Sequence, residues 1–152
     1  MFDAIAARYD LLNTVLSGGL DRYWRRRAIA SLRLSGQDRV LDVCTGTADV
    51  ALAAIRGGAA RVVGVDFSGA MLAHGLDKVS AAALGDRIHL VRGDAMNLPA
   101  ASGSVNAATI AFGIHNVQRP EVGCQELFRV LKPGGRIAIL EFGTPHNPIF
   151  AP

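Results

Sequence analysis

Five short apolar runs without polar alternation are the feature that most restricts how this chain can fold. A strand that is solvated on one face alternates apolar and polar residues, whereas a strand covered on both faces is apolar throughout, and such strands are typical of parallel sheets between helices. The runs are RVLDVC (39–44), RVVGVD (61–66), RIHLVRGD (87–94), VNAATIAFG (105–113) and RIAILEFG (136–143). We therefore predict an α/β domain of the doubly wound, Rossmann-like type, with parallel strands in the order 3-2-1-4-5.

Helical patterns lie between the runs. Ser68 suits the N-cap of the helix that follows the second run, and the Lys-Pro-Gly-Gly sequence at 132–135 is a stop signal for the helix before the fifth. An amphipathic stretch near the N-terminus carries Trp24, Ile29 and Leu32 on one side, which is expected to be the buried side.

These patterns predict one domain with three parts. Residues 1–35 form a helical lid segment, residues 36–145 form the ligand-binding α/β core, and residues 146–152 form an irregular tail. The fifth strand ends the regular structure, because the tail is rich in proline and has no periodicity.

Composition excludes several classes of protein. Hydrophobic residues make up 50% of the 152 residues, which suffices for one core and excludes disorder. Two cysteines and four scattered histidines lack zinc-site spacing and cannot build a disulfide scaffold, so a cytoplasmic setting is expected. No apolar run approaches the roughly 20 residues of a membrane span, and the opening carries acids where a signal peptide is basic. We expect a chain that is neither inserted nor exported.

The net charge of +3 comes from the N-terminal part. Residues 1–40 hold seven arginines and four aspartates, whereas the remainder holds nine basic and nine acidic residues. The run 25–27, three arginines beside Tyr23 and Trp24, is usually a solvated helix face, and the alternative is a surface for anionic lipid or nucleic acid. Since the body of the chain has no basic patch, no nucleic-acid partner is expected.

Acidic residues stand at the carboxyl ends of four predicted strands. In an open parallel sheet this edge binds ligands, at the point where the strand order reverses. Each acid alone is more often a helix cap or a turn former than a ligand contact, but successive loops that each carry one favour a site. The four are Asp42, Asp66, Asp94 and Glu141, and Asp49 lies in the first loop.

The first loop predicts a cationic ligand. It has one glycine and a carboxylate at each end, whereas a dinucleotide-binding turn offers bare N–H groups to a pyrophosphate. Asp66 is placed to accept both ribose hydroxyls of a nucleoside, and Asp94 can accept from an adenine amino group. A nucleoside with a cationic, amino-acid-like arm satisfies all three loops, and S-adenosylmethionine is such a molecule.

Longer motifs extend this interpretation. LDVCTGTAD, VVGVDFSGAML, VRGDAMNLPAASGSVNAATIAFGIHNV and ELFRVLKPGGRIAILEF, together with the opening MFDAIAARYDLLNTVLSGGLDRYWRR, resemble successive motifs of the ubiquinone/menaquinone biosynthesis C-methyltransferases, the UbiE/MenG family. The resemblance covers residues 1–145. It implies transfer of a methyl group from S-adenosylmethionine to a ring carbon of a prenylated quinol, such as demethylmenaquinol or its ubiquinone-pathway equivalent.

The resemblance also implies roles for individual residues. Thr47, Asp66 and Asp94 with Ala95 would bind the cofactor, and Asp42 with Gly46 would shape the site of its methionine end. The implied adenine walls are Phe67 and Met71, which could equally be core residues. Ala111 occupies a cofactor-side position that is often serine in the family, and Tyr9 with Asp10 would belong to a lid or simply pack the N-terminal helix.

His115 stands where the family usually has arginine. Because imidazole titrates near neutral pH, His115 is predicted to be the base that removes a phenolic proton, and the alternative is a cap of the following turn. Asn116 is predicted to orient the quinol hydroxyl or to hold that turn. Both are therefore candidate catalytic residues.

Family members continue well beyond the last motif. The fifth strand would then be an open apolar edge, and we expect it to be covered by a second copy of the chain or by a missing C-terminal segment. A peripheral contact with the inner face of the membrane is also expected from a prenylated substrate. The rival functions are a methyltransferase for another small molecule, a cofactor-binding module without turnover, and a dinucleotide dehydrogenase.

Overall fold

A computed structural model describes residues 19–141 as one parallel sheet of five strands flanked by helices. The strand order is β3-β2-β1-β4-β5 and every neighbouring pair is parallel, which confirms the predicted topology. The elements are α1 (Leu20–Ser31), β1 (Arg39–Val43), α2 (Asp49–Arg56), β2 (Arg61–Asp66), α3 (Gly69–Ala81), β3 (Ile88–Arg92), β4 (Val105–Ala111), a short 3-10 helix (Ile114–Asn116), α4 (Pro120–Val130) and β5 (Leu131–Leu140).

Alternate residues of the central strand β1 enter two different cores. Val40 belongs to the cluster that packs beneath α1 and α2, together with Ile29 and Ile55. Leu41 belongs to the cluster on the other face of the sheet, where Leu127 of α4 is fully buried. The two clusters give β1 the double-sided burial that its apolar run predicted.

The two edge strands, β3 and β5, are less buried than β1. Val91 of β3 and both Ile137 and Ile139 of β5 are exposed, because an edge strand has a neighbour on one side only. The predicted fifth strand is also displaced along the sequence. It begins at Leu131, directly after α4, and residues 132–135 bulge out before pairing with β4 resumes at 136.

The buried side of α1 differs from the predicted one. Asp21 and Ile29 face the body of the protein and the C-cap residue Leu32 is fully buried, but Trp24 is 48% exposed. Buried or partly buried positions recur at 21, 25, 29 and 32, so Trp24 lies one position off this face. The prediction that Trp24 packs inward is therefore wrong.

Parts of the predicted organisation fall outside the described residues. Tyr9 and Asp10 of the lid segment and the tail 146–152 are among them. Within residues 19–141, no helix is long and apolar enough to cross a membrane.

Candidate active site

A cavity of about 440 Å³ opens at the carboxyl edge of the sheet, as the topology predicts. The loops that follow β1, β2, β3 and β4 all contribute to its wall, and Arg25 of α1 closes one side. Ten of the lining residues that carry the argument are Arg25, Gly46, Thr47, Asp49, Asp66, Phe67, Met71, Asp94, Ala95 and Ala111.

The loop after β1 has an unusual backbone. Gly46 has φ +54°, and the non-glycine residues Cys44 (φ +54°) and Ala48 (φ +66°) share the left-handed region. Such residues cost on the order of 1–3 kcal/mol each and concentrate at functional sites. The consequence here is a tight turn that presents the Gly46 N–H to Asp66 Oδ2 at 2.8 Å.

Asp66 and Asp94 both keep acceptor capacity on the cavity side. Asp66 accepts from the N–H of Gly46 and, through Oδ1, from the N–H of Ser68 at 2.9 Å. Each of its oxygens retains a second lone pair. Asp94 Oδ1 accepts from the Met96 N–H at 2.8 Å, and Oδ2 has no hydrogen-bond partner among the described residues. Fixed carboxylates with free lone pairs suit the hydroxyl and amino donors of a nucleoside.

Asp42 lies beneath the cavity and does not line it. Its side chain is 1% exposed and accepts from the hydroxyls of Thr45, at 2.6 Å, and Thr109, at 2.7 Å. Burial raises the pKa of Asp42 to about 6, although the two hydrogen bonds by themselves lower it. Asp42 supports the loop from below through Thr45, and its predicted part in shaping the site of the methionine end stays a prediction.

Asp49 lines the cavity but is already paired with two cations. Arg25 Nη1 donates to its Oδ2 at 2.8 Å, and Lys78 Nζ donates to its Oδ1. Arg25 also bonds Asp21 at 3.0 Å, and Lys78 bonds the Thr47 hydroxyl at 3.1 Å. The loop therefore carries less net negative charge than its sequence suggests.

Arg25 is a cavity-lining residue that sequence reasoning missed. Its side chain is 12% exposed and lines the cavity, whereas its neighbours Arg26 and Arg27 are exposed. The interpretation of this run as a solvated face holds for those neighbours and is wrong for Arg25. Its spacing of four residues from both Asp21 and Ile29 is the signal that could have found it.

The remaining cofactor-side residues line the cavity. Phe67 is 73% exposed at its rim, and the guanidinium of Arg92 lies 5.7 Å from the ring centre. Met71 is 4% exposed at the start of α3, where the Ser68 hydroxyl accepts its N–H as predicted. The exposed ring of Phe67 and the buried thioether of Met71 together give this part of the cavity an apolar wall.

The predicted catalytic residues separate at the β4 end. Asn116 lines the cavity, but His115 does not, and its side chain is 53% exposed. His115 Nδ1 lies 2.8 Å from Glu141 Oε2, and Nε2 lies 3.0 Å from Asn116 Nδ2. The amide nitrogen of Asn116 can only donate a hydrogen bond, so Nε2 of His115 is the acceptor. Nδ1 of His115 carries the proton and donates a hydrogen bond to Glu141. A series of hydrogen-bonded side chains thus runs from the end of β5 to the cavity, in the order Glu141, His115, Asn116.

Cys44 and Gly113 bring the two ends of the site into contact. Burial, reinforced by the carboxylates of Asp66, Asp42 and Asp94, raises the pKa of the Cys44 thiol to about 12. A Cβ placed on Gly113 would lie 2.4 Å from Cys44 Cβ, so only glycine permits this approach. Cys124, on α4, is exposed.

The residues present fit a nucleoside with an amino-acid arm. Acceptors at 66 and 94 stand beside the apolar wall, and a charged pair stands at the opposite loop. In the part of the chain that the structure describes, no group of three histidine, cysteine or acidic side chains could hold a metal ion.

The sheet order and the position of the cavity are those of a doubly wound, Rossmann-like fold, which is the fold of the class I methyltransferases. A SAM-dependent methyltransferase from Aquifex aeolicus has this fold, with a TM-score of 0.63 at 23% identity over 76% of this chain and 62% of that one. A match at this identity shows the fold alone.

The chain belongs to the ubiE/COQ5 methyltransferase family, whose model matches residues 1–152. It is 48% identical to a ubiquinone/menaquinone biosynthesis C-methyltransferase UbiE of Geotalea daltonii and 46% identical to a demethylmenaquinone methyltransferase of Mycolicibacterium vanbaalenii. Each match covers 99% of this chain, which spans 65% and 62% of the lengths of these two relatives.

Proposed function

We propose that this protein transfers a methyl group from S-adenosylmethionine to a ring carbon of a prenylated quinol of the demethylmenaquinol type. The observation that carries the proposal is the Asp66 carboxylate, fixed by two backbone N–H groups at the edge of a cavity formed by the carboxyl ends of the strands. The names of the relatives supply the reaction and the substrate class.

The cofactor residues take the roles that the resemblance implies, with one change. Asp66 binds the ribose hydroxyls, and Asp94 with Ala95 binds the adenine. Thr47, Gly46 and Ala111 line the site, and Phe67 and Met71 form its apolar wall. Asp42 holds the loop through Thr45 instead of contacting the cofactor.

The chemistry asks this chain to position a quinol and to accept one proton. The bound cofactor supplies a sulfonium methyl group that a nucleophilic carbon attacks. Loss of a phenolic proton makes the ortho carbon nucleophilic, and we propose His115 Nε2 as the acceptor, with Nδ1–H held by Glu141. After the carbon has taken the methyl group, it loses its hydrogen as a proton to solvent and the ring oxygen regains the proton held by His115, so the reaction releases one proton overall. In this proposal Asn116 breaks its hydrogen bond to His115 Nε2 and turns its amide to the quinol oxygen. Asn116 suits this role because, of these hydrogen-bonded side chains, it lines the cavity and His115 does not.

A methyl-transfer assay with demethylmenaquinol, paired with calorimetric titration of S-adenosylhomocysteine, tests the function. Binding together with transfer to the quinol is expected. Tight binding with transfer to no quinol would identify a cofactor-binding module, and transfer to a different small molecule would identify another methyltransferase. Binding of NAD in place of the nucleoside would contradict the proposal altogether.

We propose that α1 contacts the membrane in which a prenylated quinol resides. Tyr23 and Trp24 are about half exposed and pack edge to face with ring centres 5.1 Å apart, beside the exposed Arg22, Arg26 and Arg27. Aromatic rings that adjoin basic side chains suit an anionic lipid surface. Trp24 is the only tryptophan, so its fluorescence should shift to the blue with anionic vesicles and not with zwitterionic ones. An unchanged spectrum with both would contradict this contact.

We propose that the edge of β5 pairs with a second copy of the chain. Ile137 and Ile139 are exposed on this strand, and Phe128 of α4 is 81% exposed. An apolar edge with unpaired backbone groups is a template for a further strand. Light scattering over a concentration series should show a dimer, and a monomer at the highest concentration would contradict the pairing.

A further inference from the structure

The segment between β3 and β4 supplies part of the cavity wall although it lies outside the helices and strands. Its residues Asp94, Ala95 and Met96 line the cavity. Asp94 closes a turn over residues 94–97, because its Oδ1 accepts the Met96 N–H at 2.8 Å and its carbonyl oxygen accepts the Asn97 N–H at 3.0 Å. These bonds fix the shape of the turn, but they do not fix its position relative to the sheet.

Two side chains of α4 hold the segment directly after this turn. Glu126 Oε2 accepts the Leu98 N–H at 2.8 Å, and Arg129 Nη2 donates to the Leu98 carbonyl oxygen at 3.1 Å. Arg129 Nη1 donates to the carbonyl oxygen of Ala100 at 2.8 Å and to Ser102 Oγ at 3.4 Å. Both backbone groups of Leu98 are therefore bound by side chains of another element.

Glu126 and Arg129 also fix each other. Arg129 Nε and Nη2 donate to the two oxygens of Glu126, at 2.6 and 2.7 Å, and such a bidentate pair sets the relative orientation of both groups. All five N–H donors of Arg129 thereby have an acceptor. The hydrogen bond from Arg129 lowers the pKa of Glu126, so this carboxylate is ionised near neutral pH. The pair is a fully hydrogen-bonded support for the segment.

This support acts on one part of the cavity and not on the others. Leu98 is buried in the same core cluster as Ala95, so a shift of Leu98 would move the turn that carries Asp94. The Asp66 carboxylate is instead fixed by the N–H groups of the loops after β1 and β2, without help from α4. Loss of the support should therefore disturb the contacts of Asp94 and leave those of Asp66 in place.

We propose that Glu126 and Arg129 are positioning residues for the base of the nucleoside, because they hold the turn at 94–97 where Asp94 can accept from the amino group of adenine. This rests on the proposed function, since it concerns the same cofactor site. It makes recognition of the base depend on α4, although no residue of that helix lines the cavity.

Calorimetry with two ligands that differ only at the base tests this dependence. S-adenosylhomocysteine carries the amino group of adenine, and its purine analogue has hydrogen in place of that group. The unaltered chain should bind S-adenosylhomocysteine about tenfold more tightly, which is the effect of one hydrogen bond to a charged group. Arg129→Gln should reduce this preference to about twofold or less and change the Kd of the purine analogue by less than about threefold.

Further variants test whether the effect passes through Asp94. Asp94→Ala should abolish the preference by itself, and Arg129→Gln added to it should change the S-adenosylhomocysteine Kd by less than about threefold, because coupled residues are not additive. Glu126→Gln keeps the shape of the side chain and one acceptor, so it should retain more of the preference than Glu126→Ala does. The two Glu126 variants complete the test if Arg129→Gln does not fold.

Arg136→Gln is the matched control, because Arg136 makes a similar set of contacts at the opposite edge of the sheet. Its guanidinium donates to the carbonyl oxygen of Arg33 at 2.8 Å and to Asp38 Oδ2 at 2.9 Å, and its side chain is about as exposed as that of Arg129. Both arginine variants should lower the melting temperature, but Arg136→Gln should leave the preference for the adenine ligand unchanged.

The outcomes are distinguishable. If Arg129→Gln weakens both ligands equally, or weakens neither, the pair serves only the stability of the fold and the inference is overturned. Loss of the preference in Arg136→Gln would overturn it as well, because general destabilisation would then explain the effect. If the unaltered chain binds both ligands equally, Asp94 does not recognise the amino group, and the inference fails while the proposed function stands. If it binds neither ligand, the proposed function itself fails.

Discussion

The two ends of the cavity are built in different ways. At the β1–β2 end, side chains are fixed by backbone N–H groups and by buried partners, as Asp66 and Asp42 are. At the β4–β5 end, Glu141, His115 and Asn116 bond one another, and His115 is 53% exposed. A group held by backbone is already in place before a ligand binds, whereas a chain of surface side chains can rearrange as the reaction needs. This difference is why we propose binding at the first end and proton transfer at the second.

The largest expected effect is on the methyl-transfer rate and comes from a substitution at the β4–β5 end. His115→Gln should lower the methyl-transfer rate roughly 10²–10⁴-fold and leave S-adenosylhomocysteine affinity unchanged, because a general base is lost and no cofactor contact is. Rates of methyl transfer to demethylmenaquinol, measured beside calorimetric titration with S-adenosylhomocysteine, check both points.

His115→Arg distinguishes a base from an electrostatic role. Full activity in this variant would show that the position stabilises the phenolate by charge. A normal rate in His115→Gln, with altered quinol KM alone, would show that His115 only orients Asn116.

The next largest effect is on the affinity for S-adenosylhomocysteine and comes from substitutions in the loops after β2 and β3. Asp66→Ala should raise the Kd for S-adenosylhomocysteine about 100-fold, and Asp94→Ala about tenfold, because Asp66 serves two ribose hydroxyls and also holds the Gly46 N–H. Calorimetry measures both constants, and Asp66→Asn, which keeps the shape and one acceptor, should fall between them. Equal losses for the two alanine variants would show that the nucleoside is held differently.

A third effect concerns the buried carboxyl under the loop. The pKa of Asp42 is raised to about 6 from 3.8, so the unfolded chain ionises first and the favourable contribution of Asp42 is lost as pH rises from about 4 through 6. Two pKa units correspond to about 3 kcal/mol in the free energy of unfolding. Asp42→Asn should therefore gain stability relative to the unaltered chain over that range. Denaturant unfolding at pH 4, 5, 6 and 7 checks this, and parallel curves would contradict it.

The smallest effect concerns the contact between the two ends. Gly113→Ala should destabilise the protein by about 1–3 kcal/mol, because its Cβ would overlap Cys44 Cβ. Gly123→Ala is the matched control, since its nearest neighbour would be 3.5 Å away and alanine favours the helix α4. Thermal melts should move in opposite directions, and two shifts in the same direction would mean that the loops adapt.

The sequence predicted the sheet and the edge that carries the cavity because both depend on backbone regularities. Apolar runs indicate strands covered on both faces, and parallel order places every carboxyl end on one edge. Asp66 and Asp94 follow directly from those rules. The N-cap Ser68 was also predictable, since capping is local.

The sequence could not predict features that depend on how elements pack together. Whether Arg25 or Trp24 faces inward depends on the rotation of α1 against α2. The run of arginines alone does not reveal that rotation, and the one sequence signal for it is the spacing of Arg25 from Asp21 and Ile29. Asp42 and Asp66 both end strands, but only the central position of β1 buries Asp42. The bulge at 132–135 similarly depends on the register of β5 against β4.

The two cysteines differ enough in reactivity to serve as a labelling system. Burial raises the pKa of the Cys44 thiol to about 12, and a thiol with so high a pKa forms almost no thiolate near neutral pH, so we expect a maleimide to react with the exposed Cys124 first. A maleimide dye then attaches to one place on the chain, on the outer face of α4 and away from the cavity wall. Energy transfer from Trp24 to such a dye would report movement of α1 relative to the sheet, with no substitution needed to install either probe.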